Sequence, residues 1–570
     1  MNLLAVKGQN RLRLVVGVFL CIFMAIGGKL IALTTEPQPV SAPHRESDMR
    51  LERPPIIDRN GEVLATDIPV PSLFADPRKI IDVDEAVELL TATLPGLDAK
   101  DLREKLSIKP GQRPRRFVWI KRSITEGQRL AVYRLGLPGL DFVQETMRFY
   151  PKGKLAAHVL GYVDVDNRGL AGMEKYFDGE GALFAASLAE PGAPATQPAA
   201  LSIDLRVQHA LTDELEKAIS KFSAMAAVGI ILDIHSGEVL AAASLPDFDP
   251  RNPIDAQKPS RLNRFTGGSF ELGSVLKTVT FAMALDAGTA HMDSRYDARQ
   301  PVPIGRYKIN DFHAQNRILS LPEVFTYSSN IGTVHMADQV GVKAHLEFLK
   351  KVGLTERLQT ELPEAASPQL QNPFTRAASY TTAYGHGFAI EPMQLAQVAG
   401  ALMNGGILIP PTFLKRDESL GRSLGERIIS EQTSAQMRYL FRLNVQKGTG
   451  GKADVPGYRV GGKTGTAQKV SPQGGYDPQA RINSFLAAFP IEAPRYVLLV
   501  VLDDPKPTED SHGYATAGYN AVPTAGAVIA RVAPILGVEP DLSDPSLAKL
   551  VADGRKHDIA AIADTGPGAE

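Results

Sequence analysis

The chain has a single cysteine and almost no net charge. Cys21 cannot form a disulfide within the chain, and a lone cysteine neither requires nor excludes an oxidising compartment. With 62 basic and 63 acidic residues the formal charge is −1, so we expect no nucleic-acid partner. Of the 570 residues, 44% are hydrophobic and 22% are charged. This composition is typical of a globular protein, and a chain of this length is too long for one domain.

A long apolar segment lies near the N-terminus, from Leu14 to Leu33. A helix of this length spans roughly 30 Å, which is enough to cross a bilayer. Basic residues precede it at Lys7, Arg11 and Arg13. By the positive-inside rule they predict a cytoplasmic N-terminus over residues 1–13, with the rest of the chain exported. No good small-x-small cleavage site follows, so we expect an uncleaved anchor over 14–33 and not a signal peptide.

The remaining sequence predicts a linker, two folded domains and a tail. Residues 34–52 are polar and contain prolines, which is typical of a linker. A mixed α/β domain is predicted over 53–190; it opens with a hairpin at an Asn-Gly turn and is followed by an Ala/Pro-rich joint. Over 200–538 strands at both ends enclose helices, which predicts an α+β domain with helices facing an antiparallel sheet. Residues 539–570 form a polar tail.

Two helices and five strands are predicted near the two ends of the second domain. Helices are expected at 203–222 and 522–536, and strands at 226–234, 238–244, 458–469, 482–489 and 496–502.

A hydroxyl and an amine stand three residues apart where a helix is predicted to begin, at Ser274 and Lys277. Gly273 interrupts the preceding chain, and an apolar run follows Ser274. At positions i and i+3 the two Cβ atoms lie roughly 5–6 Å apart. A desolvated lysine can be neutral enough to take the serine proton. The N–H groups of a helix N-terminus favour the negative charge that then develops.

This S-x-x-K pattern is weak by itself, because a second copy, Ser546-Leu547-Ala548-Lys549, lies in the polar tail. Alone, it is more typical of chance or of a solvated helix face. Two further motifs follow the first copy in order, Ser328-Ser329-Asn330 and Lys463-Thr464-Gly465-Thr466. Separately these are typical of a helix cap and a solvated edge strand. Together the three form the signature of penicillin-binding proteins and serine β-lactamases.

On these motifs the chain resembles a class B penicillin-binding protein, a peptidoglycan D,D-transpeptidase, over nearly its whole length. Residues 53–61 resemble the R-G-x-x-x-D-R-x-G box of that family, with Pro54 in place of the usual glycine. Residues 148–177 resemble its non-catalytic pedestal. Three short segments are more similar to the septal, cell-division subtype than to the elongation subtype. They are Tyr384-Gly385-His386-Gly387, Gly448-Thr449-Gly450 and Asp503-Asp504-Pro505.

The resemblance gives each motif residue a role. Ser274 would be the nucleophile, Lys277 its base and Ser328 a proton relay to the departing amine. The substrate-binding set would be Asn330, Lys463, Thr464, Gly465 and Thr466. Asn330 would hold a substrate amide, and Lys463 a substrate carboxylate with help from the threonine hydroxyls. Gly465 would let a peptide lie against its strand, and the backbone N–H groups of Ser274 and Thr466 would form the oxyanion hole.

The resemblance also implies partners and a location. The substrates would be peptidoglycan stem peptides of the septal wall, cross-linked through a serine acyl-enzyme, and β-lactams would inhibit the reaction. Residues 53–190 contain no evident glycosyltransferase, so a membrane-embedded glycan polymerase and other division proteins are expected partners. The location would be the bacterial inner membrane, single-pass, with a periplasmic catalytic domain. No metal or cofactor is expected.

Several alternatives share part of this pattern. A serine β-lactamase would need a deacylating carboxylate, and no E-x-x-L-N segment is present. An elongation-type transpeptidase or a D,D-carboxypeptidase would share the chemistry, and product analysis separates the carboxypeptidase. A division scaffold or β-lactam sensor would be non-enzymatic. The intact motifs speak against a dead scaffold, and the short N-terminus leaves no room for a cytoplasmic signalling part.

Overall fold

The computed structural model describes residues 53–108, 113–179, 197–471 and 474–543, together with Met24. The predicted N-terminus, linker and anchor lie outside these residues apart from Met24, as do most of the joint and the tail from 544 onward. Among the residues described, no helix is both long and apolar enough to cross a membrane. The described residues from Pro54 onward group into one compact unit, which contains two five-stranded sheets.

The strands of this unit are numbered in chain order. They are β1 Ile56–Ile57, β2 Val63–Ala75, β3 Val118–Lys121, β4 Leu140–Phe149, β5 Tyr162–Val163, β6 Gly169–Ala171, β7 Ala199–Ala200, β8 Ala226–Asp233, β9 Val239–Leu245, β10 Arg295–Asp297, β11 Val302–Ile304, β12 Tyr307–Ile309, β13 Ile318–Ser320, β14 Gln369–Leu370, β15 Phe388–Ala389, β16 Ile407–Leu408, β17 Glu426–Arg427, β18 Gly461–Val470, β19 Tyr476–Phe489 and β20 Tyr496–Asp503.

The α-helices are numbered in the same way. They are α1 Val83–Thr93, α2 Ala99–Leu106, α3 Glu126–Arg134, α4 Ala157–Leu160, α5 Gly172–Asp178, α6 Leu205–Phe222, α7 Lys277–Asp286, α8 Leu321–Thr326, α9 Asn330–Val340, α10 Val342–Lys351, α11 Arg376–Ala383, α12 Pro392–Met403, α13 Glu418–Ser423, α14 Glu431–Lys447 and α15 Ala521–Ile535.

The first sheet has the order β3-β2-β1-β7, with β4 also paired to β2. The predicted hairpin is present: β1 and β2 are antiparallel and joined through the Asn60-Gly61 turn. One carboxylate organises this turn, because Asp58 Oδ1 accepts from the backbone N–H groups of Asn60 and Glu62 at 2.8 and 2.9 Å. Helices α1 and α2 pack on this sheet through a separate apolar cluster around Leu73 and Leu90.

The second sheet has the order β18-β19-β20-β8-β9, with every pair antiparallel. Its central strand β20 is buried along its whole length, which explains why the sequence there is a continuous apolar run without alternation. Leu499 belongs to the cluster that includes α7, α12 and α14, whereas Leu498 belongs to the cluster formed with α6 and α15. Helices therefore cover both faces, and the predicted α+β class is confirmed.

The two sheets are joined through the β1–β2 turn. Asp58 Oδ2 accepts from the backbone N–H of Leu205, the first residue of α6, at 3.1 Å. Beside it, Arg59 forms an ion pair with the buried carboxylate of Glu238 at 3.2 Å. Strand β7 pairs in parallel with β1 just before α6 begins. The R-G-x-x-x-D-R-x-G-like segment therefore fixes the first sheet against α6 and the loop that precedes β9.

Candidate active site

Ser274 lies in a 3₁₀ turn, Gly273–Leu276, that leads into α7. The α-helix begins at Lys277 and not at Ser274 as expected, because Gly273 takes φ +68° and turns the chain sharply. A Cβ at Gly273 would lie 2.9 Å from the backbone of Thr466 on β18, so only glycine permits this approach. In a 3₁₀ turn the side chains at i and i+3 eclipse. Ser274 and Lys277 therefore still share one side, as the spacing predicts.

Lys277 is completely buried beneath this turn. Its Nζ donates to Asn330 Oδ1 at 2.8 Å, to Ser328 Oγ at 3.1 Å and to the Ser328 carbonyl oxygen. Burial holds the pKa of Lys277 well below its usual value, and the nearby cation of Lys463 lowers this pKa further. Among the described residues, no hydrogen bond joins Lys277 to Ser274. An amine with this lowered pKa can act as a base near neutrality.

Lys463, the predicted carboxylate anchor, contacts Ser328 from inside the protein. It is fully buried, and its Nζ donates to Ser328 Oγ at 2.9 Å and to the Thr464 carbonyl oxygen at 3.2 Å. Burial lowers the pKa of Lys463 to about 7. The alternation of side chains along β18 turns the lysine inward and leaves Thr464 and Thr466 on the cleft wall. Lys463 thus acts on Ser328 and on the local potential.

The triplet Ser328-Ser329-Asn330 caps α9 and also contacts both buried lysines. Ser329 is the N-cap of α9, and its hydroxyl accepts from the Gly332 N–H at 3.0 Å. Ser328 takes φ +57°, a strained conformation for a residue with a side chain, and such strain concentrates at functional sites. This bend points Ser328 Oγ at both lysines. The helix cap predicted as the alternative is therefore present, and Ser328 beside it contacts both lysines.

Asp311 holds this triplet in place and was missed by the sequence analysis. Its Oδ2 accepts from the Ser329 hydroxyl at 2.6 Å, and its Oδ1 accepts from the Ile331 N–H at 2.9 Å. The neighbouring Asn310 carbonyl accepts from the Asn330 side-chain amide at 2.9 Å. Asp311 lies in an irregular segment after β12, where nothing in the sequence marks a partner 18 residues away.

The strand β18 supplies one wall of the site. The Thr464 and Thr449 hydroxyls are hydrogen-bonded at 2.6 Å, and Thr466 Oγ1 accepts from the Ala517 N–H at 3.2 Å. Gly465 lies where β18 meets the Ser274 turn. A Cβ there would overlap the Leu272 carbonyl oxygen and Ser484 Oγ, so its missing side chain admits this turn.

A cleft of about 690 Å³ opens above these residues. Five of the predicted site residues lie on its wall: Ser274, Ser328, Asn330, Thr464 and Thr466. Aromatic residues outside the predicted set, among them Phe312, Tyr327, Tyr384 and Tyr519, line it as well. Thr449, Tyr384 and His386 also lie on the wall, although their motifs were interpreted only as markers of a subtype. The arrangement brings the Ser274 hydroxyl, a buried amine and a hydroxyl shared by two lysines into one place.

Comparisons with known proteins agree with this geometry. Residues 227–526 match the model of the penicillin binding protein transpeptidase domain, and residues 50–180 match the penicillin-binding protein dimerisation domain. The chain is 42% identical over 492 residues to the probable peptidoglycan D,D-transpeptidase FtsI of Caulobacter vibrioides, covering 85% of this chain and 81% of that protein. It is 30% identical over 532 residues to the peptidoglycan D,D-transpeptidase FtsI of Escherichia coli, covering 87% of each.

A solved structure has the same fold. The crystal structure of penicillin binding protein 3 from Mycobacterium tuberculosis, complexed with aztreonam, matches with a TM-score of 0.65 and 23% identity. The match covers 86% of this chain and 97% of that one.

Proposed function

Because this chain belongs to the penicillin-binding protein transpeptidase family, we propose that it is a peptidoglycan D,D-transpeptidase of the septal, cell-division type that β-lactams inhibit. The observation that carries this proposal is the meeting of three distant segments at one hydroxyl. Ser328 Oγ accepts from Lys277 Nζ at 3.1 Å and from Lys463 Nζ at 2.9 Å, on the wall of the cleft that also contains Ser274.

In the acylation step, Ser274 Oγ attacks the carbonyl carbon of the penultimate D-alanine of a stem peptide. Lys277 takes the hydroxyl proton, a role that its burial and lowered pKa support. The oxyanion is stabilised by the N–H groups of Ser274 and Thr466, whose strand and turn are in close contact at Gly273. Ser328 passes the proton from Lys277 to the amine of the leaving D-alanine, since its hydroxyl contacts both lysines.

In the second step, an amine from a neighbouring stem resolves the acyl-enzyme and forms the cross-link. The hydroxyls of Thr464 and Thr466 and the amide of Asn330 hold the donor peptide along the wall of the cleft. Lys463 contributes through its hydrogen bond to Ser328 Oγ.

The septal subtype, the location and the partners belong to the same proposal. The relatives named FtsI and the three short segments at 384–387, 448–450 and 503–505 support the septal role. The apolar segment 14–33 supports a single-pass anchor in the inner membrane with a cytoplasmic N-terminus. A membrane-embedded glycan polymerase would then supply the strands that this protein cross-links.

Labelling with a β-lactam tests the proposal. Full-length protein incubated with labelled penicillin should carry one adduct, on the peptide that contains Ser274, and the adduct should persist after free drug is removed. With two stem pentapeptides as substrates, a transpeptidase forms a cross-linked dimer, whereas a carboxypeptidase only releases D-alanine. Rapid turnover to penicilloate would refute the transpeptidase function.

A further inference from the structure

A second cluster of titratable side chains lies beside the nucleophile and has no role in the steps above. It consists of Glu271, Tyr384, His386 and Tyr476. Both carboxylate oxygens of Glu271 accept from the Tyr476 hydroxyl, at 3.1 and 3.0 Å. His386 Nδ1 lies 4.0 Å from Glu271 Oε2, and the imidazole packs between Tyr384 and Tyr476 with ring centroids 5.2 and 5.5 Å away.

The cluster is fixed directly against the Ser274 turn. Gly385, next to His386, has φ +93°, and a Cβ there would overlap the carbonyl of Gly273. Glu271 is three residues before Ser274 in the chain. His386 lines the same cleft as Ser274. Its side chain is 27% exposed, so most of the ring is enclosed. Because Nδ1 faces Glu271, Nε2 is the nitrogen that remains for a group in the cleft.

The second step of the proposed reaction leaves one proton without an acceptor. The incoming amine arrives as an ammonium ion and must become neutral before it can attack. During the attack, the route through Lys277 and Ser328 takes one proton from the attacking nitrogen and returns it to Ser274 Oγ. That route is therefore in use, and the extra proton of the ammonium ion needs a different base.

We propose that His386, held against Glu271, is the base that accepts the extra proton of the acceptor ammonium ion in the deacylation step. This inference rests on the function proposed above. The acceptor gives one proton to His386 Nε2, which later passes it to solvent. The neutral nitrogen attacks the ester carbonyl, the N–C bond forms, the C–Oγ bond to Ser274 breaks, and the second amine proton goes to Ser274 Oγ.

The surroundings of His386 fit this task. Burial, with the nearby charge of Lys277, lowers the pKa of His386 below its usual value, so the imidazole is neutral and free to take a proton near pH 7. The Glu271 carboxylate stabilises the imidazolium ion once it forms, and Tyr476 keeps that carboxylate in place. Glu271 is thus a positioning residue. The groups facing the imidazole are Glu271, Lys277, Tyr384 and Tyr476.

The test separates acylation from acyl transfer. Full-length wild type and His386→Gln are acylated by a thioester donor, and D-alanine is supplied as the acceptor. Penicillin labelling of Ser274 is measured in parallel. We expect labelling to change less than about threefold, whereas transfer to D-alanine at neutral pH falls on the order of 10²-fold or more. As the pH approaches the acceptor's own pKa, the amine needs no base, and the deficit should close.

Two further variants sharpen the result. His313, the exposed second histidine at the cleft, has no role in the proposal, and His313→Gln should keep transfer within about threefold. Glu271→Gln should move the pH at which transfer is lost to a lower value, because removing the carboxylate lowers the pKa of His386.

Equal loss in both histidine variants, a parallel loss of penicillin labelling in His386→Gln, or a deficit that persists at high pH would each overturn the assignment. If the wild type itself took no penicillin on Ser274, the proposed function would fail, and not only the role of His386.

Discussion

Buried cations occur in both parts of the folded unit, with opposite surroundings. In the first part, Arg148 is 1% exposed and pairs with Glu174 at 2.7 Å and with Asp67 at 3.1 Å. In the cleft, Lys277 and Lys463 are equally buried, yet within the described residues neither forms an ion pair, and both donate to one hydroxyl. The carboxylates around Arg148 raise its pKa. Burial without a paired carboxylate lowers the pKa of both lysines, although the charge of Asp311 acts in the opposite direction on Lys277.

The same burial therefore has two uses. A buried cation with carboxylate partners is permanently charged and holds elements together, as Arg148 joins β4, β2 and α5. A buried cation without them is poised to lose its proton and is available for chemistry. The comparison predicts that substitutions in the cleft change reactivity, whereas those around Arg148 change stability.

The largest effect is expected from removing the nucleophile. Ser274→Ala should abolish the penicillin adduct completely and leave the melting temperature nearly unchanged, since a half-buried hydroxyl contributes little to packing. Mass spectrometry of the labelled protein measures this. Ser546→Ala, in the second S-x-x-K, is the matched control and should label like the wild type. Labelling that survives Ser274→Ala would place the chemistry elsewhere.

The second largest effect is expected from replacing the base by a residue that keeps the positive charge. Lys277→Arg replaces an amine that can be neutral by a guanidinium that cannot, so the acylation rate should fall by about 10²- to 10⁴-fold. Time courses of penicillin labelling measure the rate. In the wild type the rate should fall as the pH is lowered through the depressed pKa of Lys277. A wild-type rate in the arginine variant would show that Lys277 is not the base.

Breaking the paired cation should affect stability alone. Glu174→Gln leaves Arg148 buried with one carboxylate fewer, and should cost about 3–5 kcal/mol of unfolding free energy. Denaturant titration measures this cost. Glu347→Gln, in an exposed pair with Lys343, is the control and should have no measurable effect. A slower penicillin acylation in folded Glu174→Gln protein would contradict the division between the two regions.

The smallest effect concerns Lys463. Its folded pKa of about 7 lies below that of the unfolded chain, so between about pH 7 and 10.5 the unfolded state binds more protons and stability rises with pH. Lys463→Met removes this dependence. At pH 7 the unfolding free energy of this variant should rise by on the order of 1 kcal/mol. The substitution removes the cost of burying Lys463, and the lost hydrogen bonds to Ser328 and Thr464 offset part of that gain.

The measurement is the unfolding free energy at pH 7 and at pH 10 for both proteins. Exposed Lys447→Met is the control and should change little at either pH. The compared quantity is the unfolding free energy of Lys463→Met minus that of the wild type. If this difference were lower at pH 7 than at pH 10, Lys463 would be charged in the fold.

The sequence predicted the elements with the clearest apolar patterns. The strands expected at 226–234 and 496–502 are Ala226–Asp233 and Tyr496–Asp503, which are buried along their whole length. The helix expected at 203–222 is Leu205–Phe222, which buries one face. Such patterns are local and fix these elements without distant contacts. The motifs also placed Ser274, Ser328 and Thr464 on one cleft.

Contacts between distant segments could not be read in the same way. Asp311 acts through Ser329 and Ile331, and Glu271 through Tyr476 205 residues away. The inward position of Lys463 depends on which face of β18 meets the Gly273–Leu276 turn and α14, and sequence alternation does not say which face that is. The Ser274 helix start was displaced because a positive φ at Gly273 depends on the approach of β18.

The three glycines around the nucleophile also limit how this protein can vary. Any side chain at Gly273, Gly385 or Gly465 would collide with the backbone of a neighbouring segment, so these positions are closed to substitution. On the outer wall of the cleft, by contrast, exposed Phe312 and Tyr327 have room to change size. The surroundings of Ser274 therefore tolerate substitution less than the rim of the cleft does.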